Sequence, residues 1–393
     1  MGAAAFSAVP DARRLSRARR ATRAQFAALG MVAGAWGVHI PSVKTQYGLG
    51  EAMLSTVLLA AASGAVLSLF VAGRIIGRIG VPRATTSAAV LMSSMLGLAL
   101  CWPSLALLLP AMVLFGAAMS LFDVAINTEG TALESLTGRT IMSNLHGMFG
   151  LGAMAGAALT GALLRAGVAP IVQLVAIGAL IAASVAWASR SMLDAHPTPE
   201  AGEAQAHFAW PRGQLLLIGL LIFAGMSAEG VMYDWCVLYL KQELGMAQHD
   251  AAMGYAAFTG AMALARFGGD RLRARYPERS LLQASATLSA VSMAVVLLSQ
   301  HPAVAIVGYA LVGAGLAPVV PILYNAATRV PGTSRAAAIA AVSSIGYTGF
   351  MIGPPLIGGI AQARSLTAAM FVVVVAAVLL AVGVRRIGAT DSR

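Results

Sequence analysis

Twelve long apolar segments constrain this chain more than any other feature of its sequence. They cover roughly residues 22–43, 52–73, 84–102, 105–133, 141–164, 168–189, 213–240, 251–267, 280–300, 303–328, 336–362 and 365–384. A membrane-spanning helix needs about 20 apolar residues, and most of these segments are long enough. Because their apolar residues are continuous rather than alternating, they predict helices and exclude the strands of a membrane β-barrel.

The composition is typical of a membrane protein. Hydrophobic residues make up 59% of the 393 residues and charged residues only 10%, whereas a soluble domain carries about 25% charged residues. This balance excludes a soluble enzyme, a disordered chain and a coiled coil. Cys101 and Cys236 lie alone in apolar segments, without the spacing of a metal site. The sequence therefore predicts an all-α membrane protein with twelve transmembrane helices and no cofactor or metal.

A polar segment divides the chain into two halves. Residues 190–212 contain three prolines and three acids, which is typical of a loop or linker. The predicted division is a basic N-terminus at 1–21, a six-helix bundle at 22–189, a linker at 190–212, a second six-helix bundle at 213–386 and a tail at 387–393.

The two halves match each other at an offset of 197 residues. Lys44 matches Lys241, and three glycines of the fifth segment match three of the eleventh: Gly152, Gly156 and Gly161 with Gly349, Gly353 and Gly358. Such a repeat is typical of transporters whose pseudo-symmetric halves are related by an axis along the membrane normal.

The net charge of +11 is distributed unevenly. If the N-terminus lies in the cytoplasm, 22 of the 26 basic residues are cytoplasmic, and Lys44, Arg165, Lys241 and Arg364 are outside. Positive residues favour the cytoplasmic side of a membrane. We therefore predict cytoplasmic termini and a location in the cell (inner) membrane. The charge reflects orientation in the lipid bilayer, and no nucleic-acid partner is expected. We expect the protein to be a monomer.

Acidic residues inside the spans are the main candidates for chemistry, because ionisable groups are costly in a membrane. Ten of the twelve spans have no charged residue in their interiors. The fourth span contains Asp123, Glu129 and, at its inner edge, Glu134, and the seventh contains Glu229 and Asp234. No Lys or Arg is expected at the same depth. Since loss of water disfavours a charged carboxylate, these acids suit proton uptake and release.

Other polar and aromatic residues are candidates for binding the substrate or protons. Asp123 and Asn127 lie one helical turn apart and share a face, and Asn127 could meet His146 across the turn that joins the fourth and fifth spans. His39 could exchange a proton with Asp234. The remaining candidates are Asn144, Trp36, Tyr233, Trp235 and Asn325. An aromatic belt at the membrane surface would also explain Trp36 and Trp235.

Two basic, glycine-rich stretches occupy matching places in the halves: GRIIGRIGVPR at 73–83 and ARFGGDRLRAR at 265–275, both expected to be loops. They resemble the loop signature of the major facilitator superfamily, Gly-x-Leu-x-Asp-Arg-x-Gly-Arg-Arg, although Gly77 stands where the first copy should have Asp. With the twelve spans and the central linker, the resemblance covers nearly the whole chain. It implies two rocking bundles and a cytoplasmic gate, for which the candidates are Arg74, Arg78, Glu134, Arg139, Arg266, Asp270 and Arg271. Glu134 is expected to pair with a loop arginine.

A narrower resemblance concerns the fourth, fifth and seventh spans. DVAINTEGTALE at 123–134, followed by SNLHGMFGLG, is similar to the fucose-permease branch of that superfamily, and AEGVMYDWCVLYL at 228–240 resembles a poorly characterised subgroup of the branch. The resemblance implies that Asp123 handles protons and substrate and that Asn127 and Asn144 are substrate-side amides. The first span lacks the acid of the sugar permease, so coupling could rest on His39 or on the acids of the seventh span.

These observations predict a secondary active transporter that moves a small solute in symport with protons. The alternative is a drug or metabolite efflux antiporter, although such antiporters carry a Gly-Pro motif in the fifth helix and this chain has Gly156–Ala157. A non-transporting sensor or assembly factor is a weaker alternative, since no soluble domain is predicted. A membrane enzyme is not expected, because no HExxH motif or paired Cys and His occurs.

Overall fold

A computed structural model of the chain describes residues 11–196 and 211–387, apart from the side chains of Asp270 and Ala336. The helices of the first half are α1 Ala12–Gln46, α2 Glu51–Ile79, α3 Val81–Gly97, α4 Leu105–Thr137, α5 Met142–Arg165 and α6 Pro170–Ser189. Those of the second half are α7 Gly213–Gln242, α8 Gln248–Arg275, α9 Glu278–Ser299, α10 Pro302–Leu316, α11 Val319–Ala327, α12 Arg335–Ala363 and α13 Leu366–Gly383. The predicted all-α fold is confirmed, and each of the twelve apolar segments is helical, eleven as one helix and the tenth as two.

Ten helical segments of the described chain are long and apolar enough to cross a membrane. The other two predicted spans fall short for different reasons: α3 has only 17 residues, and α8 carries several charged residues. The tenth span consists of α10 and α11, separated at Ala317 and Pro318. Pro318 interrupts the span because proline lacks a backbone N–H and its ring crowds the preceding turn.

Both stretches that resemble the superfamily signature are helical, so the prediction that they form loops was wrong. α2 extends to Ile79 and α3 begins at Val81, which leaves only Gly80 between them, with a φ of 81° that favours glycine. Residues 265–275 lie entirely within α8. Arg, Leu and Ala are good helix formers, so these helices continue beyond their apolar parts.

Glycines allow equivalent helices to pack closely in the two halves. α5 packs against α1, and α12 packs against α7. A Cβ on Gly152 would lie 2.0 Å from the backbone oxygen of Ala27, and a Cβ on Gly349 would lie 3.0 Å from that of Phe223. The 197-residue repeat thus has a packing role at this pair of glycines, whereas Gly353 faces open space.

Candidate functional site

A cavity of ≈ 1160 Å³ lies between the two halves. Both halves line it, through α1, α2, α4 and α5 on one side and α7, α8, α11 and α12 on the other. Most of the wall is apolar. The polar and charged side chains on it include Ser120, Asp123, Asn127, Thr128, Thr131, Ser135, Ser143, His146, Glu229, Tyr233, Asp234, Arg266, Arg273, Tyr324 and Tyr347.

One end of the cavity is shut by contacts between the halves, and we call this end the closed side. It comprises the end of α1, the start of α2, the end of α5, the start of α8 and the end of α12. Arg165 of α5 forms an ion pair there with Asp250 of α8. At the opposite end, the open side, the cavity wall reaches Ser135, Ser143 and Arg273, near the ends of their helices. A solute can therefore enter from the side on which α1 begins.

Aromatic rings separate the cavity from the closed side. The ring of Tyr233 lies 5.8 Å from that of Tyr255, 5.5 Å from that of Phe258 and 6.4 Å from that of Phe149. The hydroxyl of Tyr255 donates to the backbone oxygen of Ala33, 3.0 Å away on α1. The rings thus form a floor that contains residues of both halves.

Asp123 and Asn127 share one face of α4, as their spacing predicts. The amide nitrogen of Asn127 donates to the Asp123 carboxylate over 3.0 Å and to the Asp123 backbone oxygen over 2.8 Å. His146 also lines the cavity, but its ring packs edge-on against Phe26 at 5.4 Å. Within the described chain, Asn127 and His146 share no hydrogen bond, so the predicted contact between them is not found.

Arg266 forms an ion pair with Glu229 on the cavity wall. Nη2 of Arg266 lies 3.2 Å from Oε1 of Glu229, and the two side chains are only 15% and 13% exposed. The prediction that no Lys or Arg lies at the depth of the acids was therefore wrong. Because α8 continues through residues 265–275, Arg266 lies on a helix facing the cavity and not in a loop.

Asp234 differs from the other two cavity acids. It is partly buried on the wall contributed by α7. Asp123 has the Asn127 amide and Glu229 has Arg266, but Asp234 makes no hydrogen bond or ion pair with any residue that the structure describes. Its carboxylate is thus available to a proton or to a solute.

Four predicted binding residues do not line the cavity. Trp235 is fully buried in the protein, and Asn144 lies off the cavity wall. The amide of Asn325 donates to Glu278 over 2.8 Å. His39 is fully buried and contacts Ser42 and Gln173. Since its ring nitrogens are bonded to those residues, the predicted proton exchange between His39 and Asp234 has no direct contact to support it. Trp36 and Tyr233 do line the cavity.

The predicted cytoplasmic gate is not assembled as one cluster in the described part of the chain. Arg74, Arg78, Arg139 and Arg271 are exposed, and the side chain of Asp270 lies outside the described residues. Glu134 accepts hydrogen bonds from the backbone nitrogens of Ile141, at 2.5 Å, and Met142, at 2.9 Å. It therefore caps the start of α5, where orphan N–H groups need acceptors, and the expected pairing with a loop arginine was wrong.

Glu129 has a structural setting that the sequence did not reveal. It is fully buried, accepts a hydrogen bond from the backbone nitrogen of Leu193 over 2.8 Å, and pairs with His196. The amide of Gln25 on α1 donates to Ser189, the last residue of α6, over 3.1 Å. These contacts hold the chain after α6 against α1 and α4.

We expect replacement of Glu129 with alanine to lower the free energy of unfolding by about 1–3 kcal/mol, because the buried N–H of Leu193 loses its acceptor. Glu129→Gln keeps an oxygen at the same position and should lose less. Thermal unfolding of the purified protein in detergent measures both variants. Equal losses for the two substitutions would show that the hydrogen bond to Leu193 is unimportant.

Comparison with known proteins identifies the family. The sequence pattern of the Major Facilitator Superfamily matches residues 215–391. An uncharacterised MFS-type transporter of Yersinia pestis is 33% identical over 348 residues, which covers 88% of this chain and 90% of that protein. In structure, the chain is similar to a bacterial homologue of the human lysosomal transporter Spinster, at 15% identity and a TM-score of 0.73 over 96% of this chain and 97% of that one. It is also similar to the E. coli fucose:proton symporter, at 14% identity and a TM-score of 0.61 over 94% and 98%.

Both structural likenesses concern the fold alone, so membership of the fucose-permease branch stays a prediction. The likeness to the Yersinia transporter extends over nearly all of both sequences and includes both halves of the fold. The chain therefore belongs to the Major Facilitator Superfamily and is a membrane transporter of a small solute, not an enzyme.

Proposed function

We propose that the protein couples the movement of a small polar solute to protons, and that the solute binds in the cavity between Asp123 and Asp234. The observation that carries this proposal is the unpartnered carboxylate of Asp234. A carboxylate inside a membrane protein is costly as an unpaired anion. It therefore favours binding either a proton or a hydrogen-bond donor of the solute.

The placement of the acids on different halves supports a role in alternating access. Asp123 belongs to α4 and Asp234 to α7, so a solute that contacts both acids joins the two rocking bundles. Binding can shift a conformational equilibrium only through such differential contacts. The similarity of residues 123–134 to the fucose-permease branch further supports a solute with hydroxyl groups.

We also propose that the open side faces the cytoplasm and that both termini lie there, in the inner membrane. The support is the predicted distribution of basic residues, 22 of 26 on that side. Efflux remains the second candidate because the cavity wall is mainly apolar, with side chains such as Phe26, Leu29 and Met119. Such a wall suits an amphiphilic solute.

Proton flux driven by the solute tests the proposal. A thermal-shift screen of sugars, organic acids and amphiphilic drugs first identifies a solute, and the protein is then reconstituted in liposomes that contain a pH-sensitive dye. We expect Asp123→Asn and Asp234→Asn each to reduce the flux by about tenfold or more, in the range typical of lost proton-transfer groups.

Asp194→Asn is the matched control, because Asp194 is an exposed acid outside the cavity that pairs with Arg14. It should leave the flux unchanged. If both cavity variants keep the full pH-dependent flux, the proton role is wrong. The direction of solute movement relative to the proton gradient separates symport from efflux by antiport.

A further inference from the structure

A chain of hydrogen bonds crosses the closed side from one half of the protein to the other. Its members, in order, are Lys241 of α7, Gln248 of α8, Ser42 and His39 of α1, and Gln173 of α6. Lys241 Nζ donates to Gln248 Oε1 over 3.1 Å. Nε2 of Gln248 then donates to Ser42 Oγ and to the backbone oxygen of Val38, both at 2.8 Å. Gln248 is thus the member that links the halves.

The hydrogen-bond partners of His39 fix the orientation of its ring. Nε2 of Gln173 donates to the backbone oxygen of Val168 over 2.8 Å, so Oε1 of Gln173 is the acceptor that faces His39 Nε2 at 3.3 Å. His39 must then carry its proton on Nε2. In the neutral ring, Nδ1 accepts from the hydroxyl of Ser42, whose Oγ lies 3.1 Å away. With its proton directed at His39, Ser42 presents its lone pairs to Gln248.

The 197-residue repeat explains why a glutamine at position 248 matters. Lys44 and Glu51 form an ion pair at 2.5 Å in the first half. The residues at the same offset in the second half are Lys241 and Gln248, which also contact each other. The acid of the first half is thus replaced by an amide in the second. A carboxylate can only accept hydrogen bonds, whereas the amide accepts from Lys241 and still has two N–H groups to donate to α1.

We propose that Gln248 is the latch of the closed side, and that His39 is a positioning residue that holds Ser42 in the orientation the latch needs. To open the closed side, the protein must break the bonds from Gln248 to Val38 and Ser42. The exposed ion pair between Arg165 and Asp250 crosses the same interface, but exposed pairs contribute little. His39 is buried with both nitrogens engaged, so its role is to orient this contact and not to bind the solute.

Distances between spin labels on the two halves test the latch. Ala52 of α2 and Ala363 of α12 are exposed at adjacent helix ends on the closed side, and both are replaced with cysteine after Cys101→Ser and Cys236→Ala remove the native thiols. In detergent, we expect Gln248→Glu and Gln248→Ala to raise the ratio of long to short distances about tenfold, which corresponds to about 1.4 kcal/mol. Gln248→Glu is the sharper variant, since it keeps the acceptor for Lys241, removes both donors and places a carboxylate against the oxygens of Val38 and Ser42.

Glu51→Gln is the matched control, because it alters the equivalent pair in the first half, and its amide oxygen can still accept the hydrogen bond that links residue 51 to Gln242 across the interface. It should leave the distance distribution unchanged. If both Gln248 variants give the distribution of the parent protein, or if Glu51→Gln shifts it equally, the latch is overturned. The result does not depend on proton coupling, since no solute or pH gradient is present.

The role of His39 is tested by combining substitutions. We expect His39→Leu to shift the distances in the same direction as Gln248→Ala, and the double variant to shift them no further than Gln248→Ala alone. Residues that act through one network are non-additive in this way. If the two shifts multiply instead, His39 does not act through Gln248 and the positioning role is wrong.

Discussion

Replacing Arg266 with alanine should lower the stability of the protein by about 3 kcal/mol and reduce transport severely, since removal of one partner of a buried ion pair costs about 3–5 kcal/mol. The variant leaves the carboxylate of Glu229 on the cavity wall without its cation. That carboxylate is only 13% exposed, so water can replace the guanidinium only in part. Thermal unfolding in detergent and solute flux in liposomes measure the two effects.

The double variant Arg266→Met and Glu229→Gln separates the lost ion pair from lost packing. It removes both charges and keeps side chains of similar size, so most of the stability should return while transport stays low. Arg275→Ala is the control on the same helix, because Arg275 is exposed and lies off the cavity wall, and its loss should change neither measurement. A single Arg266→Ala variant with parental stability would show that the ion pair does not hold α7 and α8 together.

Hydrophobic length and residue spacing predicted the helices well, because both are properties of a single segment. Twelve continuous apolar runs can satisfy their backbone hydrogen bonds in a membrane only as helices. The same local reasoning placed Asp123 and Asn127 on one face of α4, and the structure has them hydrogen-bonded. It also singled out the glycine pair Gly152 and Gly349.

Contacts between distant segments could not be predicted in this way. The resemblance of residues 265–275 to a loop signature predicts a loop at Arg266, yet α8 continues to Arg275 and carries Arg266 towards Glu229. Glu129 was considered a proton site, but its partners lie in the segment after α6. His39 contacts a glutamine on another helix. Each of these assignments depends on how helices pack, which hydropathy does not report.

On the closed side, the 197-residue repeat produces two equivalent contacts between the halves. Gly161 of α5 faces Ala252 of α8, and Gly358 of α12 faces Ser55 of α2. Each glycine and each partner is related to its counterpart by the same offset of 197 residues. The two close approaches are therefore equivalent under the repeat, and both must form for the closed side to shut.

Tryptophan at both Gly161 and Gly358 should hold the closed side open and reduce transport to background. A Cβ at position 358 would lie 2.4 Å from the side chain of Ser55, and one at position 161 would lie 2.9 Å from Cβ of Ala252. Overpacking costs about 1–3 kcal/mol per site, so two sites together disfavour the shut state by roughly thirtyfold or more. Spin labels at Ala52 and Ala363 should report the long distance, and liposome flux should be lost.

Gly359→Trp is the matched control, because a side chain there meets open space and should leave distances and flux as in the parent. The double tryptophan variant should still bind the solute, since neither glycine lines the cavity. Binding without transport is the result expected if closure of this side is a required step of the cycle. A variant that keeps both the parental distances and the flux would mean that the closed side accommodates both tryptophans, and that closure does not depend on the paired glycines.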